Sequence, residues 1–404
     1  MGKSNNRNEL HKRKDSKMKS VLNGLLVVSL LLGVGIQPGY GESKEELQGT
    51  ITLSGAWALY PMAVKWAEEF QKIRPKVKID VAAGGAGKGM ADALASVADI
   101  GMVSRVIYPA EIEKGAWWVS VTKDAVVPTI NENNPVSKDL LSKGVKKETF
   151  IDIWITEKVK DWKGVAPATE RIFGKTDLHV YTRSDACGAA DTWADFLGKK
   201  QEDLLGVGVY GDPGLAEAVR QDILGIGFNN ISYVYDAKTK KQVKGIRVLP
   251  IDLNGNGQID KGSVARNEML EIFGEKDSLW KEFFVNPDED NLRFKPNVTD
   301  RIKVKIADTA KAEKVLAILK QFQDKNEDFY DSRDEIVEAI ATGRYPSPPA
   351  RDLHFVSQGR PKRKVVIEFI RWVLTDGQKY VPEAGYINLT EKKLQEGLKK
   401  LEGE

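Results

Sequence analysis

Beyond residue 49 the chain alternates short apolar blocks with longer stretches of helical period. Positions 50–53 and 77–82 are blocks of strand type, and between them apolar residues recur at helical spacing over 60–73. A Gly-rich turn at 84–89 leads into a second helical stretch ending near 97, and then into a short apolar block at 99–103. Strand–helix–strand order of this kind predicts an α/β lobe wound about a parallel sheet. The block DAVVPTIN (124–131) reads as an extended strand that leaves this lobe.

A second set of the same kind follows. Helices are predicted near 147–154, 190–197 and 213–221, and strands at 178–182, 207–210 and 226–229. The stretch 245–251 reads as a return crossing, and from 350 on a strand at 354–357 and a helix over 363–375 rejoin the first lobe. The expected fold class is therefore α/β: two doubly wound lobes joined by two crossing strands. Ligands in such sheets lie in the cleft beyond the strands' carboxyl ends. A Lys- and Glu-rich segment, 261–323, has its own helical pattern over 310–322 and predicts an inserted α-rich subdomain. The expected division is a signal peptide (1–41), the first part of lobe 1 (50–125), lobe 2 (126–250), a loop of calcium-binding type (252–260), the insertion, the rest of lobe 1 (324–390) and a charged tail (391–404).

Charge changes the picture at the start. Residues 1–41 hold seven basic and two acidic side chains, so of the net +3 the remainder carries −2. A near-neutral body has no electrostatic footprint for nucleic acid. The basic start precedes one apolar run, 21–36, and then the small residues Gly39 and Gly41. That is the pattern of a secretory signal peptide cut after Gly41, with Met18 as an alternative start. The competing reading is an uncleaved anchor, but the run is shorter than the roughly 20 residues a spanning helix needs. A periplasmic or secreted protein is expected. With Cys187 as its only cysteine, a single chain has no internal disulfide. At 404 residues and 41% hydrophobic, it is long enough for two cores held by apolar packing, and a monomer is expected.

Three turns between a strand and a helix are built mainly from small residues, with Trp57 the exception: Ala56, Trp57 and Ala58; Gly85, Ala86 and Gly87; and Cys187, Gly188 and Ala189. Free N–H groups at such helix starts favour an anion. The alternative for any one of them is close strand–helix packing. Ser104 follows the third strand and is a further candidate for the cleft. Cys187 at a helix start could be an activated thiol. Nothing supplies its base, because only His179 and His354 follow the leader, so no enzyme activity is expected. No catalytic cofactor is expected. A structural calcium ion is suggested by Asp252, Asn254, Asn256, Gln258 and Asp260, which occupy positions 1, 3, 5, 7 and 9 of an EF-hand type loop. Ser263 stands at position 12, and Glu327, beyond the insertion, is the candidate to close the site. A metal-free Asn/Gly turn is the alternative.

Five segments carry a family resemblance: SGAWALYPMAVKW (54–66), GGAGKGMADALASVADIGMVSR (84–105), YTRSDACGAADTW (181–193), GDPGLAEAVRQDILGIGFNN (211–230) and FIRWVLTDGQKYVPEAGYINL (369–389). In order and spacing they resemble the phosphate-binding proteins of phosphate ABC importers, which implies a fold of the type II periplasmic binding protein kind. The resemblance implies a small oxyanion as ligand, phosphate foremost, and an ABC permease as partner. It places Arg183 at the family's anion-binding Arg and leaves Gly188 as a backbone donor. Trp57 stands where a Thr is usual, Ala86 where a Ser is, Ser104 where an acceptor Asp is, Cys187 for a Ser and Ala189 for a Thr. A same-fold oxyanion sensor or scavenger without a transporter, and a cysteine-dependent enzyme, are the rival readings.

Overall fold

The structure is a computed structural model. It describes residues 46–166, 176–252, 264–284, 287, 291, 292, 294, 295, 298–324 and 330–403. The expected leader, Asn254, Asn256, Gln258, Asp260 and Glu327 lie outside the described residues. The chain divides into two compact units, Met1–Glu46 and Leu47–Glu404. Of the first, only Glu46 is described, and the fold below is that of the second.

Thirteen strands are described: β1 (Gly49–Gly55), β2 (Val77–Ala83), β3 (Ile100–Val103), β4 (Ala116–Asn131), β5 (Val145–Lys146), β6 (His179–Arg183), β7 (Val207–Val209), β8 (Gly225–Asn230), β9 (Ile246–Val248), β10 (Ile251–Asp252), β11 (Val264–Ala265), β12 (Asn291–Leu292) and β13 (Ala350–Gln358). The principal sheet runs β2-β1-β3-β13-β4-β8-β6-β7, with β9 also on β4. β2, β1 and β3 are parallel, as are β8, β6 and β7, while β13 and β4 are antiparallel to their neighbours. The inner strands β3 and β8 are buried along their whole length and read as near-continuous apolar blocks, while the edge strands β2 and β7 keep exposed positions.

Two cores result. The first gathers Ile51, Leu53, Trp66, Phe70, Phe355 and Phe369, with the Phe70 ring edge-on to Phe369 at 5.2 Å. The second is built on Phe150, Trp154, Trp193 and Phe228, where Trp154 meets Trp193 edge-on at 5.4 Å. Each such ring contributes on the order of 1.5–3 kcal/mol by leaving water. β4 and β13 run through both cores. Val119 and Val121 belong to the first and Ala125 to Ile130 to the second, while β13 goes from Ala350 in the second to Leu353 in the first.

The return crossing is thus β13, not 245–251. β9 pairs antiparallel with Thr129–Asn131, and Ile246, Val248, Leu249 and Ile251 are all buried in the second core. Tyr330, Ile336, Ala339, Ile340 and Tyr345 also join that core, so the second lobe continues past the insertion to Ala350. Between Leu353 and His354 the register skips Val121, a bulge in β4 where the two strands run into the first lobe. Within the insertion, Met269, Phe273, Trp280, Phe283, Ile302 and Val315 form a third apolar cluster.

The glycines of the 84–89 turn serve close packing. The helix Ala86–Leu94 lies against β1 and β3 with backbone touching backbone. A Cβ on Gly101 would stand 2.2 Å from the Gly89 carbonyl oxygen, and one on Gly89 2.4 Å from that of Met102. Gly101→Ala should therefore destabilise the protein by at least about 1–3 kcal/mol. A lowered urea midpoint with an unchanged slope is the expected readout, and an unchanged midpoint would contradict the contact.

His354 on β13 is buried, with Nδ1 3.1 Å from Ser120 Oγ. Burial pushes its pKa down to about 4, against the pull of Asp352 and with help from Lys393, Lys400 and Arg105. The unfolded imidazole titrates near 6.5. Below that pH the unfolded chain binds a proton that the folded chain refuses. Stability is therefore whole above about pH 6.5 and falls by about 3 kcal/mol as pH drops towards 4. His354→Gln should lose that much less between neutral and mildly acid pH in parallel urea titrations. Equal losses would contradict the assignment.

Candidate anion-binding cleft

β6 ends at Arg183, whose side chain is 0% exposed. Its Nε and Nη2 donate to the two oxygens of Asp185 at 2.8 and 2.7 Å, the bidentate geometry a planar fork provides. Asp185 also accepts from Gly211 N at 3.2 Å, where a φ of +75° needs glycine, and so anchors the start of the helix Gly211–Gln221. Gln201 locks the turn from outside: Nε2 donates to Asp185 O at 2.8 Å and Oε1 accepts from Cys187 N at 3.1 Å. Cys187 Sγ accepts from Ala190 N at 3.4 Å and caps the helix Gly188–Phe196. Burial pushes the Cys187 thiol up to about 12, with Arg183 pulling the other way. The sulfur is therefore a protonated cap at neutral pH. The first N–H groups of this helix, on Gly188 and Ala189, lack partners within it.

The first lobe meets this turn directly. Gly87 N donates to Ala186 O at 3.1 Å. A Cβ on Gly85 would lie 2.8 Å from Ala186 O and 3.0 Å from Asp185 Oδ2, and one on Gly188 2.2 Å from both the carbonyl and hydroxyl oxygens of Ser104. Ala56, Ala58 and Ala86 are buried in the first core and Ala189 in the second, so these positions bring backbone rather than side chains to the cleft. Trp57 packs edge-on to Tyr210 at 6.3 Å, and its carbonyl accepts from Tyr233 Oη at 3.0 Å. The cleft is closed, and all three turns converge on it. Ser104 is buried at its wall. Arg105, beside it, pairs with both oxygens of Glu111 and stacks on Tyr108 at 4.4 Å. Tyr108 Oη reaches across to Asp191 Oδ1 at 2.5 Å, over a cavity of about 560 Å³ at the mouth that Lys199 and Lys200 also line.

Two buried donors here lack an aligned acceptor: Trp57 Nε1 and Arg183 Nη1. Nη1 does lie 2.8 Å from Asp212 Oδ2, an ion pair without hydrogen-bond alignment. Behind them runs a buried polar chain. Asn230 Nδ2 donates to Asp212 Oδ1, and Asn230 Oδ1 accepts from Arg351 Nη2. Arg351 Nη1 donates to Gly188 O and to Thr192 Oγ1 at 2.9 Å, and Nε to Asp124 Oδ1 at 3.0 Å. Burial pushes the Asp124 and Asp212 carboxyls up, while Arg351 and Arg183 respectively hold them down. Asp124, Thr192, Asp212, Asn230 and Arg351 are residues of the candidate site that sequence reasoning missed. The signal available was polar residues inside apolar blocks, as with Asp124 before AVVPTI and Asn230 closing GIGFNN.

Among the described residues no group of three or more His, Cys, Asp or Glu side chains is placed to hold a metal ion. Asp252 is buried in β10, which pairs with β5. No described helix is long and apolar enough to cross a membrane.

A family model described as a PBP superfamily domain matches residues 41–282. A phosphate-binding protein PstS of Methanocaldococcus jannaschii is 25% identical, over 95% of this chain and 94% of that one. The phosphate-binding protein PstS of Bacillus subtilis is 26% identical over 51% of this chain and 65% of its own length. Among solved structures, a Clostridium perfringens protein described as a phosphate ABC transporter substrate-binding protein, with bound phosphate, shares the fold. Its TM-score is 0.53 at 18% identity, covering 85% of this chain and 100% of that one.

Proposed function

Because the chain belongs to the PBP superfamily, we propose that it is the solute-binding component of an ABC importer and that its cargo is an oxyanion, phosphate foremost. The observation that carries this reading is the pair of buried donors, Arg183 Nη1 and Trp57 Nε1, that lack aligned acceptors where three turns from two lobes meet. Buried donors in native proteins have partners. Two of them, beside the helix start at Gly188, call for a ligand rich in acceptors and negative charge. Trp57 comes from the first lobe and Arg183 from the second, so one anion touching both would hold the lobes together and favour the closed state. The names of the relatives, one of them matched along nearly its whole length, support phosphate as that anion.

The function is binding and delivery to a permease, by an exported monomer. The test is a thermal shift of the mature protein against phosphate, arsenate, sulfate, molybdate and organic phosphates. Phosphate should raise the melting temperature in a dose-dependent way. No shift with any of these anions would contradict the reading.

The spacing of Asp252, Asn254, Asn256, Gln258 and Asp260 supports a structural calcium site closed by Glu327. Excess chelator should lower the melting temperature, and Asp252→Ala should remove that response. A melting curve unchanged by chelator would leave a metal-free turn.

A further inference from the structure

We propose that Asp212 is an internal competitor for the ligand: its carboxylate holds the edge of Arg183 that an entering oxyanion needs, and it takes up a proton and gives up that edge as the anion binds. The inference rests on the oxyanion reading of the cleft and adds the residue that sets its affinity and its pH dependence.

Geometry divides the guanidinium into two edges. The Nε and Nη2 edge is fixed by Asp185 through two aligned hydrogen bonds. Asp185 is itself tied to Gly211 N, so that edge is part of the scaffold. The Nη1 edge faces Asp212 at 2.8 Å without an aligned hydrogen bond. The first contact is tied to the backbone at Gly211, whereas the second joins two side chains that can part. Asp212 has another anchor to fall back on, since Asn230 Nδ2 donates to its Oδ1.

Charge supplies the second argument. The chain of buried ion pairs contains three carboxylates, Asp124, Asp185 and Asp212, against two guanidiniums, Arg183 and Arg351. With all of them ionised, this buried chain is one negative charge in excess. An anion added without compensation would sit among like charges in a water-poor site, which is strongly unfavourable. One proton on Asp212 removes the excess and frees Nη1. The proton comes from solvent and the Asp212–Arg183 contact gives way to an anion–Arg183 contact, so no other group changes state.

The neighbours on every side leave this role to Asp212. Arg183 on β6, Asp185 and Cys187 in the turn that follows it, and Arg351 on β13 face it, together with Asp124 on β4 and Tyr233 after β8. Asp185 and Asp124 are each held by a guanidinium through aligned hydrogen bonds. The Cys187 thiol and the Tyr233 hydroxyl are both pushed up by burial and stay protonated at neutral pH. Burial likewise pushes the Asp212 carboxyl up against the pull of Arg183, which brings protonation within reach.

The test is calorimetric titration of phosphate into wild-type protein and Asp212→Asn, each at about pH 5.5 and about pH 8. Wild-type affinity should fall as pH rises, by up to about tenfold per unit where one proton is taken up, beyond any change shown by the variant. Asp212→Asn should bind at least about tenfold more tightly at the higher pH. Phosphate's own titration is common to both proteins. If the variant fails to fold, wild-type titrations in two buffers of different ionisation enthalpy still count the protons. Uptake of about one proton at pH 5.5, where phosphate is already monoanionic, supports the proposal, and none overturns it. Binding by the wild type that is unchanged or weakened in Asp212→Asn also overturns it, with the oxyanion reading intact. If neither folded protein binds phosphate at any pH, the oxyanion reading itself falls and this proposal with it.

Discussion

Arg351→Met should destabilise the protein by about 3–5 kcal/mol, the loss expected when one partner of a buried ion pair is removed. Asp124 is 0% exposed and takes its charged hydrogen bonds from Arg351, its neighbour across the β4–β13 pair. The same guanidinium also holds Gly188 O, Thr192 Oγ1 and Asn230 Oδ1, so its loss strips three acceptors on two further elements, the helix Gly188–Phe196 and β8. The double variant Asp124→Asn/Arg351→Met should recover part of the stability, because it no longer buries an uncompensated charge. Urea titration of the four proteins in the cycle reads the coupling directly. Additive losses would show that Asp124 and Arg351 do not act as a pair. The position matters for function because both strands cross between the lobes here, and a rigid pair at the crossing sets how the lobes meet.

Arg183→Ala should have two effects. Stability should fall by about 3–5 kcal/mol, because Asp212 and Asp185 lose the charge that compensates them. Phosphate affinity should fall by at least about tenfold, since removing a buried, charged partner costs on the order of 2–5 kcal/mol. Arg183→Lys should recover part of each. An ammonium can balance the charge, but it does not reproduce the bidentate grip on Asp185. Denaturation and calorimetry on the same samples separate the two effects. A folded Arg183→Ala protein that binds as the wild type does would place the ligand elsewhere.

The parallel lobes were legible because their inner strands, buried on both faces, are short apolar blocks, and the helices between them keep a 3.6 period. The return crossing was not legible. β13 carries Arg351, Asp352 and His354 within ARDLHFVSQ, and polar residues break the pattern of a buried strand. The apolar run at 245–251 took its place in the reading, although its partner is the far end of β4. The turns were visible as small residues at strand ends, and Arg183 through the family resemblance. Asp212, Asn230 and Arg351 were not, because their meaning lies in who meets whom. Arg351 and Asp124 are 227 positions apart, and only the sheet register makes them neighbours.

The most direct test of the central claim is a calorimetric titration of phosphate into the purified mature protein near neutral pH, beside Arg183→Ala protein shown to be folded. The account predicts saturable binding at one site per chain in the wild type, weakened at least about tenfold in the variant. Wild-type protein that gives no saturable binding, or a variant that binds equally well, would contradict it.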